Sequence, residues 1–534
     1  MSEDPALADG HHLARGAAAN TLVLLAANFR GIFTFLIARL LGAAAFGRFG
    51  AVFATTDLIS KVGMLGLDSS IVPIVATRAA AGDGDGSRRA FRRAILCAGS
   101  ASVVLALAAF AFVDWAAGAR PFAALESFVG NFSGGGAFML LALPGIAIAR
   151  ISTGAARGVL AMRNEFYSRG LAETWVTIGV FGLALALGAR ERAPALAVVA
   201  GVSAAALVAF TLATQSLAKL PNHQIAKSPN HQIPDSVTPS LLPSRLLSAS
   251  ASTGSMLRFS LPTAASNLLN VLVTEVDVLL LAAYVGRAPG VTSETFGVFA
   301  AAAQIAVGLR KVRQIFDPIF APVVARRSVS EHRARLEDTV AGPGRWVLSA
   351  QLPLVGALVL SGGAIMSIYG GEYRQGALWL ALLGVAHGSN TFAGLVETLL
   401  MIERPGLNLV NAALTVLVQV VAGILLIPRF GVTGAAVATC LGFGLQGILR
   451  FAEMRHVYGW SWPWRALTRP IAAFGMAFIP AAALRLVGGP VIEIAAGVLF
   501  LLLYAGAWRL LGAEPADREI WRTLVASRRS KPNS

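Results

Sequence analysis

The sequence predicts an all-α polytopic membrane protein with about 14 transmembrane helices. Of its 534 residues, 56% are hydrophobic and only 13% are charged, and the mean hydropathy is +0.67. A typical soluble chain has about 25% charged residues. The apolar residues fall in blocks of about 20, the length that an α-helix needs to cross a hydrocarbon core of about 30 Å. Together these observations exclude a soluble protein.

The apolar blocks predict the positions of the spans, each bounded by Gly, Pro or charged residues. The first block follows a polar, acidic N-terminus rather than the basic region and cleavage site of a signal peptide, so we expect it to remain as a helix. The predicted spans are 17–38, 46–66, 94–113, 137–160, 170–188, 195–217, 263–285, 294–316, 345–367, 376–400, 407–427, 433–452, 470–486 and 491–510.

The basic residues predict the orientation of the chain. If the N-terminus is cytoplasmic, 31 of the 44 Lys and Arg residues lie on inside segments and 9 lie on outside segments. Because positive charge concentrates in cytoplasmic loops, both termini are predicted to lie on the cytoplasmic side of a bacterial inner membrane. Topology therefore accounts for the net charge of +16, and no nucleic-acid partner is expected.

Two related halves are predicted on either side of a flexible cytoplasmic linker at 218–257, whose Pro-rich composition cannot bury a core. Phe46-Gly47-Arg48-Phe49 opens the second span, and Phe296-Gly297-Val298-Phe299 opens the eighth. Both motifs face the same side, which indicates parallel repeats of six spans. The expected units are an N-terminal lobe (1–217), the linker, a C-terminal lobe (258–452), and two extra spans with a basic tail (453–534).

No metal or cofactor site is predicted. Cys97 and Cys440 lie in distant apolar blocks, and His223 and His231 lie in a Pro-rich repeat without a cysteine nearby. These residues do not supply the ligand set of a metal site. An enzyme of envelope glycan assembly is not favoured either, because the longest predicted outside loop, 114–136, has no paired-carboxylate motif for acid–base chemistry.

Several motifs, taken in order, resemble the polysaccharide flippases of the MOP (MATE-like) exporter superfamily, which include the Wzx-type O-antigen translocases. The similarity covers most of residues 15–460. The motifs are Ala38-Arg39-Leu40-Leu41-Gly42 leading into Phe46-Gly47-Arg48-Phe49, Arg258-Phe259-Ser260-Leu261-Pro262 with Asp277, Phe316-Asp317-Pro318-Ile319-Phe320-Ala321-Pro322, Tyr369-Gly370-Gly371-Glu372-Tyr373, and Leu426-Ile427-Pro428-Arg429-Phe430-Gly431-Val432-Thr433-Gly434-Ala435-Ala436.

The resemblance implies a V-shaped carrier that moves undecaprenyl-diphosphate-linked oligosaccharide from the cytoplasmic to the outer leaflet by alternating access, without hydrolysing ATP. The implied process is polysaccharide, lipopolysaccharide or O-antigen biosynthesis, with lipid II as a secondary substrate. The implied partners are the lipid-linked oligosaccharide, membrane lipids, and the polysaccharide polymerase and export machinery.

Basic residues within the predicted spans are the first candidates for substrate binding. Asn28 and Arg30 lie near the middle of the first span, and Arg150 and Arg157 lie on one face of the fourth. An ionisable group in hydrocarbon costs at least about 2.5–3.5 kcal/mol, so each should face a cavity or a partner. A guanidinium holds phosphate oxygens through two hydrogen bonds, which suits a diphosphate. The alternative is snorkelling to the membrane interface, and it is strongest for Arg157.

Further charged residues are candidates for ion coupling or for lining the cavity. Asp57 and Lys61 have the i, i+4 spacing of a mutually neutralising pair. Glu275 and Asp277 lie two positions apart, so they point in different directions and only one is expected to meet the cavity. His387 and Glu397 lie on the tenth span. A carboxylate or a histidine in this lobe is a candidate site for a coupling proton or sodium ion.

Two other groups of polar residues have alternative interpretations. The basic cluster at the inside end of the eighth span either attracts anionic head groups at a cytoplasmic entrance or only satisfies topology. The polar stripes on spans ten and eleven either line a hydrophilic path or form hydrogen bonds between helices. The basic cluster is Arg310, Lys311 and Arg313. The stripe on span ten is His387, Asn390, Thr391 and Gly394, and the stripe on span eleven is Asn408, Asn411, Thr415 and Gln419.

A cation-coupled multidrug or small-molecule antiporter of the same superfamily is the main alternative, because fold alone does not determine function. The charge of the cavity distinguishes the two functions. An exporter of cationic drugs is expected to present acidic or aromatic groups, whereas Arg30 and Arg150 favour an anionic substrate.

Overall fold

The computed structural model describes residues 30–119, 123–221, 252–311, 333–459 and 464–511. All regular secondary structure in these ranges is helical. The helices of the N-terminal half are α1 (Arg30–Leu41), α2 (Ala43–Met64), α3 (Leu67–Ala80), α4 (Gly84–Ala119), α5 (Ala123–Gly130), α6 (Leu143–Gly158), α7 (Thr174–Ala186) and α8 (Ala193–Ala218). A 3₁₀ segment, Ser133–Ala142, precedes α6, and a π-helical segment, Phe166–Glu173, leads into α7.

The C-terminal half begins with two helices that contact α2 of the N-terminal half. Helices α15 and α16 pack on α11, which places them beside the C-terminal half. The helices are α9 (Thr253–Tyr284), α10 (Ser293–Val307), α11 (Arg333–Ser367), α12 (Ala377–Glu403), α13 (Pro405–Phe430), α14 (Val432–Tyr458), α15 (Trp464–Arg485) and α16 (Pro490–Leu511).

The helices confirm the predicted fold class of an all-α polytopic membrane protein. In the part of the chain that the structure describes, nine helices are long and apolar enough to cross a membrane. The number becomes ten if α2 and α3, which are bent by 42° at their junction, form one span. The residues described for α1, and all of α10, form shorter apolar helices. The predicted count of 14 is therefore approximate.

The largest departure from the predicted spans follows α2. Residues 67–93 were expected to form an inside loop, but they contain α3 and the first turns of α4. Leu65 and Gly66 both have positive φ values, 53° and 73°, so the helix breaks there and then resumes. The helix α3 packs against α6, which explains why this segment is ordered although its sequence is less apolar than a typical span.

The two repeated motifs meet where α2 crosses α10. A Cβ atom added to Gly47 would lie 2.9 Å from the backbone nitrogen of Gly297, and one added to Gly297 would overlap the carbonyl oxygen of Ala43. Only glycine lets the two backbones approach this closely. At the same end, the Tyr373 hydroxyl donates to the Ala38 carbonyl at 3.3 Å. We call this end of the bundle, marked by the Gly47–Gly297 contact, the glycine end.

The halves also touch at a second place, beside the break between α2 and α3. The Asn267 amide of α9 donates to Asp68 Oδ1 at 3.3 Å and to Ser69 Oγ at 3.2 Å on α3. A Cβ on Gly66 would overlap the Ser260 carbonyl. We call this second contact the asparagine end. The two halves therefore contact each other at both ends of the bundle.

Gly297→Ala should lower stability, because the added methyl group forces α2 and α10 apart. Overpacking of this kind costs about 1–3 kcal/mol. The measurement is the thermal unfolding midpoint of the purified chain, together with its abundance in the membrane. Gly406→Ala is the matched control, since a Cβ at this helical glycine meets no atom within 4 Å. Equal unfolding midpoints for Gly297→Ala and the wild type would contradict the tight crossing.

Candidate functional site

Arg150 lies inside the N-terminal half, on α6. Its side chain lines a small cavity of about 30 Å³ together with Asp57, Arg169 and Glu173. Lys61 is within electrostatic range of Arg150. Among the described residues, the Arg150 guanidinium forms no ion pair and no hydrogen bond. A half-buried guanidinium with its donors unused is suited to receive an anionic ligand.

A larger cavity of about 140 Å³ continues from this one and is lined by Arg169, Glu165 and Glu173. Arg169 Nη1 lies 3.1 Å from Glu165 Oε1, and Arg169 Nε lies 3.8 Å from Glu173 Oε2. Arg169 and Glu173 lie in the π-helical segment before α7, and such irregular turns occur often at functional sites. An incoming anion can therefore replace Glu165 or Glu173 as the partner of the Arg169 guanidinium.

Sequence reasoning missed these three residues. It assigned Arg169 to an inside segment and did not single out either glutamate. The available signal was the spacing of Glu165, Arg169 and Glu173 at i, i+4 and i+8, which places alternating charges on one helical face. The π-helical turn was not visible in the sequence, because a one-residue widening of a helix has no compositional signature.

Lys61 has two carboxylate neighbours, the predicted Asp57, which is within electrostatic range, and Asp68. Lys61 Nζ lies 3.9 Å from Asp68 Oδ2, and Asp57 forms no ion pair among the described residues. The bend between α2 and α3 at Gly66 places Asp68, in the first turn of α3, within reach of Lys61. Lys61 thus belongs to the asparagine end, and Asp57 is left facing the cavity of Arg150.

The remaining candidates of the N-terminal half have different outcomes. The Arg157 side chain is 43% exposed and its Nε lies 3.9 Å from Glu165 Oε2, which agrees with the alternative that it reaches the end of its helix. Asn28 lies outside the described residues. Arg30 begins α1, but its side chain also lies outside what the structure describes.

The acidic pair of α9 divides as its spacing requires. Asp277 is only 6% exposed and accepts hydrogen bonds from the Thr439 hydroxyl at 3.0 Å and from the Val278 amide at 2.8 Å. It therefore points into the C-terminal half, towards α14. Glu275 is within electrostatic range of Asp57 of the other half and of Arg310. Glu275 is thus the member of the pair that lies towards the N-terminal half.

The predicted basic entrance is only partly described, since Arg313 lies outside the described residues. The guanidinium of Arg310 donates to the Thr274 hydroxyl on α9. Arg310 is also within electrostatic range of Glu275 and His387. Arg310 therefore reaches towards the charged groups of the bundle, while Lys311 is half-buried beside it.

Glu397 and His387 occupy packed positions in the C-terminal half. Glu397 Oε2 lies 2.9 Å from Nη2 of Arg450, which is only 1% exposed. The ring of His387 lies 4.9 Å from that of Phe443. Glu397 thus neutralises a buried arginine, a role that the sequence did not indicate.

Two residues of the polar stripe of α13 form hydrogen bonds between helices, as one of its two interpretations predicts, whereas the Thr415 hydroxyl donates to the Asn411 carbonyl within α13. The Asn411 amide donates to both oxygens of Glu453, at 3.0 and 2.8 Å, and the Gln419 amide donates to the Val273 carbonyl at 3.3 Å. The side chains of Asn390 and Thr391 on the other stripe lie outside the described residues. In the described ranges, no three His, Cys, Asp or Glu residues are grouped as metal ligands.

The helical bundle has the fold of the MOP superfamily of membrane transporters. It is similar to the lipid II flippase MurJ in an inward closed conformation, with a TM-score of 0.65 and 12% identity over 91% of this chain and 98% of that one. It is also similar to an inward-facing multidrug resistance MATE transporter, with a TM-score of 0.61 and 15% identity over 82% of this chain and 94% of that one.

A third similar structure is a MOP superfamily transporter from Pyrococcus furiosus, described as having a binding pocket of reverse polarity. Its TM-score is 0.58, with 15% identity over 86% of this chain and 99% of that one. These three solved structures are of transporters or flippases, not of enzymes. A sequence search of the curated proteins finds no match.

Residues 13–316 match the family described as "Polysaccharide biosynthesis protein". The match covers more than half of the chain, so the chain belongs to this family. It is a multi-pass membrane protein of the polysaccharide biosynthesis family with the MOP transporter fold.

Proposed function

We propose that this protein flips a polyprenyl-diphosphate-linked oligosaccharide from the cytoplasmic to the outer leaflet of the bacterial inner membrane. The observation that carries the proposal is Arg150, a cation inside the bundle whose guanidinium has no ion pair among the described residues. A diphosphate supplies the paired anionic oxygens that a guanidinium binds in a bidentate manner. The family assignment to polysaccharide biosynthesis agrees with a glycan on that diphosphate.

The proposed mechanism is alternating access between two lobes, residues 1–217 and 258–452, with both termini in the cytoplasm. Contacts at the glycine end and the asparagine end alternately break, so that the charged cavity opens to one leaflet and then to the other. Arg150 and Arg169 hold the diphosphate during this change, and Arg30 and Asn28 are proposed to assist. The oligosaccharide unit of O-antigen is the proposed cargo, delivered to the polymerase and export machinery.

Coupling to an ion is proposed for the carboxylates near the cavity. Asp57 and Glu275 lie within electrostatic range of each other, one in each half, and Asp277 is buried against α14. Protonation or sodium binding at such groups changes the charge that the two halves present to each other. These carboxylates also favour the second candidate function, a cation-coupled antiporter for small cationic molecules.

Transport by the purified chain distinguishes the two functions. Vesicles that contain the chain and a polyprenyl-diphosphate-linked oligosaccharide on the inner leaflet should expose the glycan to an external lectin faster than protein-free vesicles. In a parallel assay, an imposed proton or sodium gradient should not drive accumulation of a cationic dye. Dye accumulation without glycan exposure would reject the flippase and support the antiporter, and neither activity would reject both.

A further inference from the structure

A third cavity lies at the glycine end of the N-terminal half, and none of the functions proposed above uses it. It encloses about 210 Å³ between the start of α2, the 3₁₀ segment and the start of α8. Its polar lining consists of Arg48, Asn131, Ser133, Arg190 and Glu191. Arg48 belongs to the repeated Phe46-Gly47-Arg48-Phe49 motif, whose counterpart in the C-terminal half has Val298 at this position. Arg48 is therefore the one position of the repeated motif that differs between the two halves.

The two arginines of this cavity have unused donors. Among the described residues, neither Arg48 nor Arg190 forms an ion pair or a side-chain hydrogen bond. The carboxylate of Glu191 lies against the turn at Gly134, because a Cβ on that glycine would be 2.8 Å from Glu191 Oε2. Two guanidinium groups and one carboxylate thus give the cavity a net positive charge, which attracts an anion.

The three cavities follow one another along α2. Asp57 and Phe53 line the cavity of Arg150, Phe53 and Phe49 line the cavity of Arg169, and Phe49 and Arg48 line the cavity at the glycine end. Asp57 and Arg48 are nine residues apart, which corresponds to about 14 Å along a helix axis. Each cavity in this row therefore contains at least one arginine.

Phe49 forms the boundary between the last two cavities. Its ring lies 5.7 Å from the ring of Phe33 in an edge-to-face arrangement and 5.7 Å from the ring of Phe53 in a stacked one. The side chain is 7% exposed. An aromatic side chain therefore lies between the cavity of Arg169, whose charged lining is one arginine and two glutamates, and the positively charged cavity at the glycine end.

We propose that Arg48 and Arg190 form a second anion-binding site, which receives the diphosphate of the substrate at the glycine end after it leaves Arg150 and Arg169. The inference extends the proposed function, because it assigns a receiving site for the same ligand. Outside segments are predicted to hold only 9 of the 44 basic residues, and Arg48 and Arg190 are two of them. Their convergence on one cavity runs against the usual depletion of positive charge on that side.

The ligand chemistry is a diphosphate or phosphodiester anion, which has two sources in a membrane. One is the diphosphate of the transported lipid, and the other is the head group of an anionic phospholipid. Inorganic pyrophosphate and phosphatidylglycerol are therefore the two probes. In the first assay, the full-length chain in nanodiscs of neutral lipid is titrated with pyrophosphate by calorimetry. In the second assay, the chain is reconstituted in nanodiscs with increasing fractions of phosphatidylglycerol, and binding of that lipid is measured.

The wild type should bind pyrophosphate at two sites. The double variant Arg48→Ala with Arg190→Ala should retain one site and bind at the other at least about tenfold more weakly, because two charge-assisted contacts are lost. Arg150→Ala should affect only the other site.

Arg429→Ala is the matched control: Arg429 is predicted to lie on the same side, is exposed, and makes no ion pair among the described residues. Glu191→Gln should tighten binding, because a competing carboxylate is removed.

Loss of one pyrophosphate site in the double variant, with unchanged phosphatidylglycerol binding, would support the diphosphate of the substrate as the ligand. Unchanged pyrophosphate binding in the double variant, or an equal loss in Arg429→Ala, would overturn the site. The proposed function fails by a different result, namely no glycan exposure by the wild-type chain. Normal glycan exposure by the wild type with unchanged pyrophosphate binding in the double variant would therefore reject the second site alone.

Discussion

Replacement of Arg150 by alanine should abolish surface glycan display in a strain that depends on this protein as its flippase. The substitution removes a cation inside the N-terminal half whose guanidinium has no ion pair among the described residues. Hydrogen bonds to charged groups contribute about 1.5–3 kcal/mol each, and a diphosphate crossing the bilayer depends on every such contact, because it has left water. Display should fall to the level of the empty vector while the protein remains at normal abundance in the membrane.

Arg150→Lys distinguishes a binding role from a structural one. Lysine keeps the charge but not the planar fork that engages two phosphate oxygens, so display should be partly retained. Arg157→Ala is the matched control, since Arg157 lies on the same helix but is 43% exposed and 3.9 Å from Glu165. It should have a much smaller effect. Wild-type display by Arg150→Ala at normal abundance would remove this residue from the mechanism.

Crosslinking the asparagine end should stop transport completely and reversibly. Asn267 Nδ2 and Ser69 Oγ are 3.2 Å apart across the two halves, so the double variant Ser69→Cys with Asn267→Cys brings two thiols within reach of a disulfide. If the halves must separate here in each cycle, oxidation blocks glycan exposure and dithiothreitol restores it. The measurement is the lectin assay before oxidation, after oxidation and after reduction.

A crosslink within one half is the appropriate control. Asn164 Nδ2 donates to Ser216 Oγ at 3.1 Å, and both residues lie in the N-terminal half. The double variant Asn164→Cys with Ser216→Cys should transport normally when oxidised. The single variants account for oxidation of the native Cys97 and Cys440. Full transport by the chain crosslinked at Ser69 and Asn267 would contradict alternating separation at this end.

Hydropathy predicted the helices well, because burial in lipid constrains composition strongly over about 20 residues. The predicted span 433–452 corresponds to α14, Val432–Tyr458, and the predicted span 491–510 corresponds to α16, Pro490–Leu511. Hydropathy failed at 67–93, where polar residues and Pro73 interrupt α3 and four arginines lie in the first turns of α4. These turns are stabilised by packing on neighbouring helices, which a window of composition does not detect.

The site was predicted less completely than the fold, because charge pairing depends on three-dimensional geometry. Arg150 could be selected from its depth in the span alone, since an arginine far from either end of a span is costly in lipid and must face a cavity or a partner. The contact of Lys61 with Asp68 could not be predicted, because the bend at Gly66 is set by two residues of positive φ. Arg169 was assigned to an inside segment, since nothing in the sequence reveals the π-helical turn.

The contact between Gly47 and Gly297 also determines how mutations at these two positions combine. A side chain at Gly47 would meet the backbone of Gly297, and a side chain at Gly297 would meet the carbonyl of Ala43, one turn before Gly47 on α2, although 250 residues separate the two glycines in the sequence. A first substitution must push α2 and α10 apart, and a second then enters space that is already open. The two effects should be strongly sub-additive, with a coupling energy of about 0.5–3 kcal/mol in a double-mutant cycle. Once one glycine is lost, selection to retain the other is therefore relaxed.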